Sequence, residues 1–160
     1  MLAFSPVEWA RSCLLWGLIA SLLMNIPMYV QPQGYRPACV AAAGLTGRDP
    51  GEVRQALAVA VHHVTGTAAA LLYGAIVFVL AVLLPTTLSL NGVPTVPHLA
   101  GAVGVTLFIY YFFERVAMPR AGGSLQAEAE PIIGQWALSA FVYGTTLALL
   151  SPTFQPLRVS

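Results

Sequence analysis

The chain has 160 residues, of which 58% are hydrophobic and only 8% charged. A soluble domain carries about 25% charged residues, so this composition excludes an ordinary soluble protein and predicts an integral membrane protein. The net charge of +1 provides no basic surface for nucleic acid. Cys13 and Cys39 stand alone in the sequence, so they form neither a CxxC redox pair nor a zinc cluster.

Four apolar segments are each long enough to cross the hydrocarbon layer, which is roughly 30 Å thick and takes about 20 helical residues. Lipid offers no partner to an exposed backbone polar group, so each segment is predicted to be a helix. The predicted fold class is all-α, with residues 1–160 forming one domain, a four-transmembrane-helix bundle. The spans are predicted at about residues 12–30, 64–84, 98–118 and 132–150.

The first helix has a clear start and an interrupted end. Ser5–Glu8 offers a capping serine, a proline in the first turn and an acidic residue three positions after the cap. The helix is predicted to run to Val30. Asn25 and Pro27 interrupt it, because an asparagine in hydrocarbon requires a partner and a proline frees the carbonyl of Leu23.

The loop Gln31–Asp49 is rich in proline and glycine, and its apolar part, Pro37–Gly44, is predicted to form a short interfacial helix. Asp49–Glu52 repeats the start signal of the first helix. The second helix is therefore predicted to begin near Pro50, with its first turns in the membrane interface.

The remaining elements follow from proline positions. Thr86–Pro97 is a short polar connection, and Pro97–Met118 is the predicted third helix, which Pro119 ends. Ser124–Glu130 is a predicted short amphipathic turn. The fourth helix is predicted to start at Pro131 and to end near Pro152.

Arginine placement predicts the orientation in the membrane. The two long loops carry five arginines and the termini carry two, which are Arg36, Arg48, Arg54, Arg115 and Arg120 against Arg11 and Arg158. The positive-inside rule then places both long loops in the cytoplasm and both termini outside a cell membrane.

Small residues at four-residue spacing predict where helices approach closely. Gly66, Ala70 and Gly74 share one face of the second helix with His62. Gly17, Ser21 and Asn25 share a face of the first helix. Because the two helices run antiparallel, we expect Gly17 near the level of Gly74, and Asn25 near Gly66 with a hydrogen bond toward Thr65 or His62.

Two similarities suggest a repeat of two helical hairpins. Gly17 to Pro32 and Gly104 to Pro119 have the same spacing. Leu72-Tyr73-Gly74 is echoed by Val142-Tyr143-Gly144, which makes Gly144 a further predicted packing position. Repeats of this kind occur in transporter folds, whereas short apolar motifs also recur without common origin.

Several polar residues are predicted to lie together at the cytoplasmic membrane boundary: Asn25, His62, His63, Thr65, Glu114 and Gln135. Ionisable groups at such depth often mark a transport path, and His63 with Glu114 would make a proton-linked pair. The alternative is an interfacial layer, in which the histidines face lipid headgroups and Glu114 pairs with an arginine.

No catalytic residues, metal site or cofactor are predicted. The chain has no G-x-S-x-G elbow and no H-E-x-x-H zinc helix. His98 starts the third helix on the outer side, whereas His62 and His63 start the second on the inner side. At 1.5 Å per residue they stand roughly 30 Å apart, so they cannot share one haem.

The runs Leu23–Met28, Gly34–Pro37 and His62–Gly74 together resemble small integral membrane proteins of haloarchaeal type, over roughly the first half of the chain. The resemblance implies a multi-span membrane protein and no particular activity.

The leading hypothesis from the sequence is a non-enzymatic membrane protein that acts as a subunit of a membrane complex or as a homo-oligomer. It rests on the small-residue faces and the lack of catalytic motifs. The alternative is a small proton-linked transporter or channel that uses the boundary polar cluster, and a membrane-embedded enzyme is the third possibility. The expected partners are the lipid bilayer and other membrane subunits or further copies of the chain.

Overall fold

The computed structural model describes residues 2–3, 5–84, 88–91, 93–122, 125, 128–153 and 158–159. Within them, four apolar helical segments are long enough to cross a membrane: Pro6–Val30, Gln55–Leu83, Thr95–Arg120 and Ala129–Pro152. The predicted all-α fold of four membrane-spanning helices is therefore confirmed.

The first span is two helices, α1 (Pro6–Leu23) and α2 (Asn25–Val30), separated by a turn at Met24. The Ser5 hydroxyl accepts a hydrogen bond from the Glu8 amide at 3.3 Å, as the capping pattern predicts. The helix is interrupted about one turn before Pro27. Because proline has no N–H, Pro27 cannot donate a hydrogen bond to the carbonyl of Leu23, four residues earlier.

The first long loop contains α3 (Arg36–Thr46) and a 3₁₀ turn, Pro50–Glu52. The second span, α4, starts only at Gln55 and ends at Leu83. The prediction of a start near Pro50 is wrong, because the Asp49 carboxylate caps the Gly51 amide at 2.8 Å in a separate 3₁₀ turn. The chain is then extended at Val53 before α4 begins.

The third span follows a small hairpin that the sequence did not predict, formed by β2 (Ser89–Leu90) and β3 (Val93–Pro94). A second pair joins the two ends of the chain, since β1 (Leu2–Ala3) is antiparallel to β4 (Arg158–Val159).

Helix α5 runs over Thr95–Phe112 and passes through a π-helical segment, Phe113–Ala117, into α6 (Met118–Arg120). Pro119 therefore does not end the third span. It occupies an early position of α6, and proline is tolerated in the first turn of a helix.

Helix α7 covers Ala129–Thr153 and forms the fourth span. It begins slightly before the predicted start at Pro131. Most of the predicted amphipathic turn Ser124–Glu130 lies outside the described residues.

The four spans form an antiparallel bundle in which α1 packs against α4 and α7, and α5 packs against the same two helices. One end of the bundle, here called the termini end, carries β1, β4 and the β2–β3 hairpin. The opposite end, here called the loop end, carries both long loops. The two loops meet there, because Arg36 and Glu128 form an ion pair at 3.0 Å.

Helix α3 is inserted into the loop end and packs against α4, the π-helical segment and α7. Ala38, Val40, Ala42 and Ala43 are fully buried. A Cβ on Gly44 would lie 2.9 Å from the Cα of Ala117, so a small residue is required at this crossing. The predicted short helix therefore exists, and the neighbouring helices enclose it.

Candidate functional site

Helices α1 and α4 approach closely through the small residues that the sequence singled out. A Cβ on Gly17 would lie 2.6 Å from the Cβ of Ala70, and a Cβ on Gly66 would lie 2.7 Å from the Cβ of Ser21. The two faces meet, but Gly17 is level with Ala70 and not with Gly74. The register differs from the expected one by one helical turn, because Gly74 lies opposite residues nearer the start of α1.

The remaining predicted packing glycines are also used within the chain. A Cβ on Gly74 would lie 2.6 Å from the sulfur of Cys13. A Cβ on Gly144 would overlap the Thr106 hydroxyl of α5. These small-residue faces are filled by the bundle itself, so they do not call for a partner subunit.

The two Tyr-Gly pairs have comparable surroundings. Gly74 and Gly144 each face the first helix of their own hairpin. The Tyr143 hydroxyl donates to the Gly66 carbonyl of α4 at 2.5 Å, and Tyr73 bonds His98 of α5 at 2.6 Å, so each tyrosine reaches the other hairpin. Gly104 faces Ile76 of α4, unlike Gly17, which faces its own hairpin partner. The repeat remains a prediction that the Tyr-Gly pairs favour and the Gly104 contact does not.

His63 belongs to a short hydrogen-bonded chain between α4 and the first span. The Ser21 hydroxyl donates to the Leu18 carbonyl at 2.8 Å, so its oxygen accepts from His63 Nδ1–H at 3.0 Å. That assignment leaves Nε2 of a neutral His63 to accept from the Asn25 amide at 3.4 Å. Asn25 therefore bonds His63, and the expected bond to Thr65 or His62 is wrong.

Two members of the predicted cluster lie apart from this chain. The Thr65 hydroxyl donates to the Val61 carbonyl of its own helix at 2.7 Å, and the residue is exposed. Glu114 lies 3.5 Å from the Arg115 guanidinium. Among the described contacts, none joins Glu114 to His63, so the structure does not form the predicted proton-linked pair.

Two buried amide oxygens at the loop end lack hydrogen-bond partners among the described residues. Gln135 donates from Nε2 to the Gly34 carbonyl at 2.7 Å, while its Oε1 remains unpaired. Asn25 Oδ1 is likewise unpaired. The two residues are only 4% and 8% exposed, so bulk water does not reach these oxygens. Unpaired buried acceptors are uncommon in proteins and mark positions where a donor is missing.

The imidazole of His62 offers a further acceptor, which differs from these two oxygens in that it is not among the fully buried unpaired atoms. Its Nε2 lies 3.2 Å from the Ser21 carbonyl. A carbonyl only accepts, so Nε2 carries the proton and Nδ1 of the neutral ring is an acceptor. Within the described part of the chain, Nδ1 has no hydrogen bond. The ring packs edge-on against Trp136 at 6.2 Å between centroids.

His62 lines a cavity of about 510 Å³ between α4 and α5. Helix α3 and the start of α7 complete its wall. The lining is almost wholly apolar, and His62 is the one ionisable side chain among the described residues that form it: Met24, Ala41, Leu45, His62, Thr65, Gly66, Ala68, Ala69, Leu72, Phe108, Ile109, Phe112, Phe113, Ala117 and Trp136.

The aromatic floor of the cavity is fixed by contacts of its own. Trp136 stacks on Phe113 with 4.4 Å between ring centroids and donates its indole N–H to the Ile109 carbonyl at 3.1 Å. Trp136 was not among the predicted site residues. The available signal was chemical, since a tryptophan within a span needs a partner for its N–H and is therefore often held at a specific site.

A second cavity, of about 540 Å³, lies among the loops outside the spans, where Arg36, Cys39 and Asp49 contribute to its wall. Its charges have partners within the chain, because Arg36 pairs with Glu128 and Asp49 caps Gly51. Burial raises the pKa of the Cys39 thiol, although nearby Arg36 lowers it in part. The thiol is therefore a weak nucleophile, and this cavity offers less chemistry than the one at His62.

Among the described residues, no three His, Cys, Asp or Glu side chains lie close enough to hold a metal ion. No protein-family model, curated protein or solved structure matches this chain. The resemblance to haloarchaeal membrane proteins therefore remains a prediction.

Proposed function

We propose that the chain is a non-enzymatic integral membrane protein that binds an apolar molecule from the bilayer in the cavity between α4 and α5. The observation that carries the proposal is the cavity itself, about 510 Å³ with an apolar wall and the buried imidazole of His62. Small-molecule sites have volumes of about 300–1,000 Å³ and combine apolar walls with a few polar groups.

The position of the cavity supports entry from the lipid phase. Leu72, Phe108 and Phe112 contribute to its wall and are 36%, 48% and 38% exposed, so its rim is also the outer surface of α4 and α5. In a membrane that surface faces acyl chains. An apolar ligand would therefore enter sideways between the two helices.

Ligand binding takes the place of assembly with a partner subunit as the main proposed role of the chain. The subunit hypothesis rested on small-residue faces, and Gly17, Gly66, Gly74 and Gly144 all contact helices of the same chain. Stoichiometric co-purification of a second membrane protein, followed by loss of the cavity ligand on its removal, would return the subunit hypothesis to first place.

The test is site-specific photolabelling in lipid nanodiscs with a diazirine-bearing long-chain amphiphile. Ala69 is half-buried and lines the cavity, so Ala69→Trp should place a large ring in it, block ligand entry and abolish crosslinks to the cavity wall. The matched control is Val79→Trp, which adds the same side chain to an exposed position of α4 outside the lining.

We expect wild type and Val79→Trp to show the same crosslinks at cavity residues. Equal labelling of the cavity wall in the Ala69→Trp variant would overturn the proposal, because the label would then report only the lipid annulus.

The second candidate is a small proton-linked transporter or channel, which the Ser21–His63–Asn25 hydrogen-bonded chain favours. In liposomes that contain the protein, proton-coupled flux should then be lower for the His63→Phe variant than for the wild type. Glu114→Gln should leave flux unchanged, because Glu114 pairs with Arg115. Flux that survives His63→Phe would contradict this candidate.

We further propose that the loop end faces the cytoplasm, as the arginine distribution predicts. Gly122 is an unsuitable labelling site because its φ of 94° strains any other residue. Thr46 is exposed at the loop end, so Thr46→Cys is introduced into a chain in which Cys13 and Cys39 are alanine. A membrane-impermeant maleimide should label it only after the cells are opened, and labelling in intact cells would reverse the orientation.

A further inference from the structure

We infer that the occupant of the cavity is an amphiphile with a hydroxyl head group, whose O–H donates a hydrogen bond to Nδ1 of His62. This inference rests on the proposed function and adds the chemical class of the ligand. Two observations support it. Only one ring nitrogen of His62 carries a proton, and the other polar groups of the cavity wall already have hydrogen-bond partners.

The imidazole of His62 is held in one tautomer. The Ser21 carbonyl, at 3.2 Å, accepts only from a protonated Nε2, which leaves Nδ1 with a lone pair. No acidic residue is among the described residues that line the cavity, and the imidazole of His63 lies beside His62 at 5.1 Å between ring centroids. A second proton on His62 would create a buried charge without a counter-charge, so the ring is neutral.

The cavity wall therefore presents an acceptor, and its donors are already used. The indole N–H of Trp136 donates to the Ile109 carbonyl, and the Thr65 hydroxyl donates to the Val61 carbonyl. A ligand whose head group only accepts, such as an ester, an ether or a quinone, would leave Nδ1 of His62 without a hydrogen-bond partner. A ligand with a hydroxyl group would satisfy it.

The rest of the lining fits the apolar part of such a ligand. Phe113 and Trp136 lie at the His62 end of the cavity, while Leu72, Phe108 and Phe112 lie at its exposed rim. A molecule with its hydroxyl at His62 would extend its hydrocarbon chain past the rim, where the surrounding lipid is equally apolar. A long-chain alcohol has this shape, and so does a hydroxylated isoprenoid.

The experiment compares cetyl alcohol with its methyl ether as competitors of the diazirine probe in nanodiscs that contain the full chain. The two compounds share the hydrocarbon chain and differ in the donor. We expect the alcohol to compete roughly tenfold better than the ether, the ratio expected for one hydrogen bond to an otherwise unpaired buried group. The ¹⁵N resonance of His62 Nδ1 should shift on addition of the alcohol and not of the ether.

The variants separate this inference from the proposed function. Ala69→Trp should abolish probe labelling of the cavity wall whether or not either compound is present, since it blocks the cavity. The His62→Phe variant should bind the alcohol and the ether equally well, because phenylalanine has no hydrogen-bond acceptor. His62→Gln retains an acceptor and should keep a preference for the alcohol, which provides a second measurement if His62→Phe does not fold.

Equal competition by alcohol and ether in the wild type, with labelling still blocked by Ala69→Trp, would overturn the hydroxyl inference and leave the proposed function standing. If neither compound competes and Ala69→Trp changes nothing, both are overturned.

Discussion

The two ends of the bundle use buried histidines in opposite ways. At the termini end, His98 of α5 is 2% exposed and uses both ring nitrogens, bonding the Tyr73 hydroxyl at 2.6 Å and the Ala148 carbonyl at 3.0 Å. It therefore joins three helices. At the loop end, His62 is 3% exposed and uses one ring nitrogen, while the other has no partner among the described residues.

The helices also pack more closely around His98 than around His62. Near His98, a Cβ on Gly101 would lie 2.7 Å from Val77, so α4 and α5 are in close contact there. Nearer His62, the same two helices border a cavity of about 510 Å³. The first span also breaks at Met24, and the third span becomes π-helical after Phe112.

Irregular helices, open space and unpaired acceptors thus coincide at the loop end. Irregular backbone within a membrane is tolerated where protein covers it, and π-helical turns are frequent at functional sites. The termini end is thus the more tightly bonded part of the bundle, and the proposed ligand site lies at the loop end.

The largest expected effect tests the close contact between α1 and α4. Gly66→Leu places a side chain where even a Cβ would lie 2.7 Å from Ser21, so we expect a loss of at least about 2 kcal/mol in the free energy of unfolding. Gly134→Leu is the matched control, because no atom lies within 4 Å of a Cβ there, and it should change stability by less than about 1 kcal/mol. Unfolding in mixed detergent micelles measures both, and equal losses would contradict the packing account.

An intermediate effect is expected from replacing each buried histidine with phenylalanine. His98→Phe removes the hydrogen bonds to the Tyr73 hydroxyl and to the Ala148 carbonyl and should cost about 1–3 kcal/mol of unfolding free energy. His62→Phe removes one bond and should cost about 1 kcal/mol. The same unfolding assay ranks them. A larger loss for His62→Phe would reverse the roles assigned to the two ends.

The smallest effect is expected at Asn25. Its bond to His63 is long, at 3.4 Å, and its Oδ1 is unpaired, so Asn25→Leu removes little and should change the unfolding free energy by less than about 1 kcal/mol. Asn25→Asp serves as the contrast, because it adds a buried charge at the same place. A large loss for Asn25→Leu would show that Asn25 Oδ1 has a structural partner, such as an ordered water.

The predictable part of the fold is the part that local sequence patterns determine. The apolar segments predicted four spans, the Ser5 cap predicted the first helix start, and the four-residue spacing of Gly66 and Ala70 predicted the face that contacts α1. Local signals failed at Pro50 and Pro119, where each pattern fits more than one structure. A capping motif can open a 3₁₀ turn as well as a helix, and a proline after a helix can also begin the next one.

The candidate site was predictable only in part. Asn25, His62, His63 and Gln135 were expected near one membrane boundary, and the structure gives all four buried or half-buried positions at the loop end. Glu114 was expected at the same membrane boundary, but its carboxylate pairs with the adjacent Arg115. Depth along a helix follows from residue number, whereas the direction of a side chain around the bundle depends on which helices are neighbours.

The sequence by itself determined that this chain has four helices long and apolar enough to cross a membrane, because hydrocarbon thickness sets the length of such segments and backbone hydrogen bonding requires them to be helical. Only the tertiary structure decided which acceptors find donors. Ser21 and Tyr73 lie far in sequence from the histidines they bond, and the register between helices sets those pairings. The same packing leaves His62 on the wall of a cavity that no local pattern could predict, since a cavity depends on how completely neighbouring helices fill the space between them.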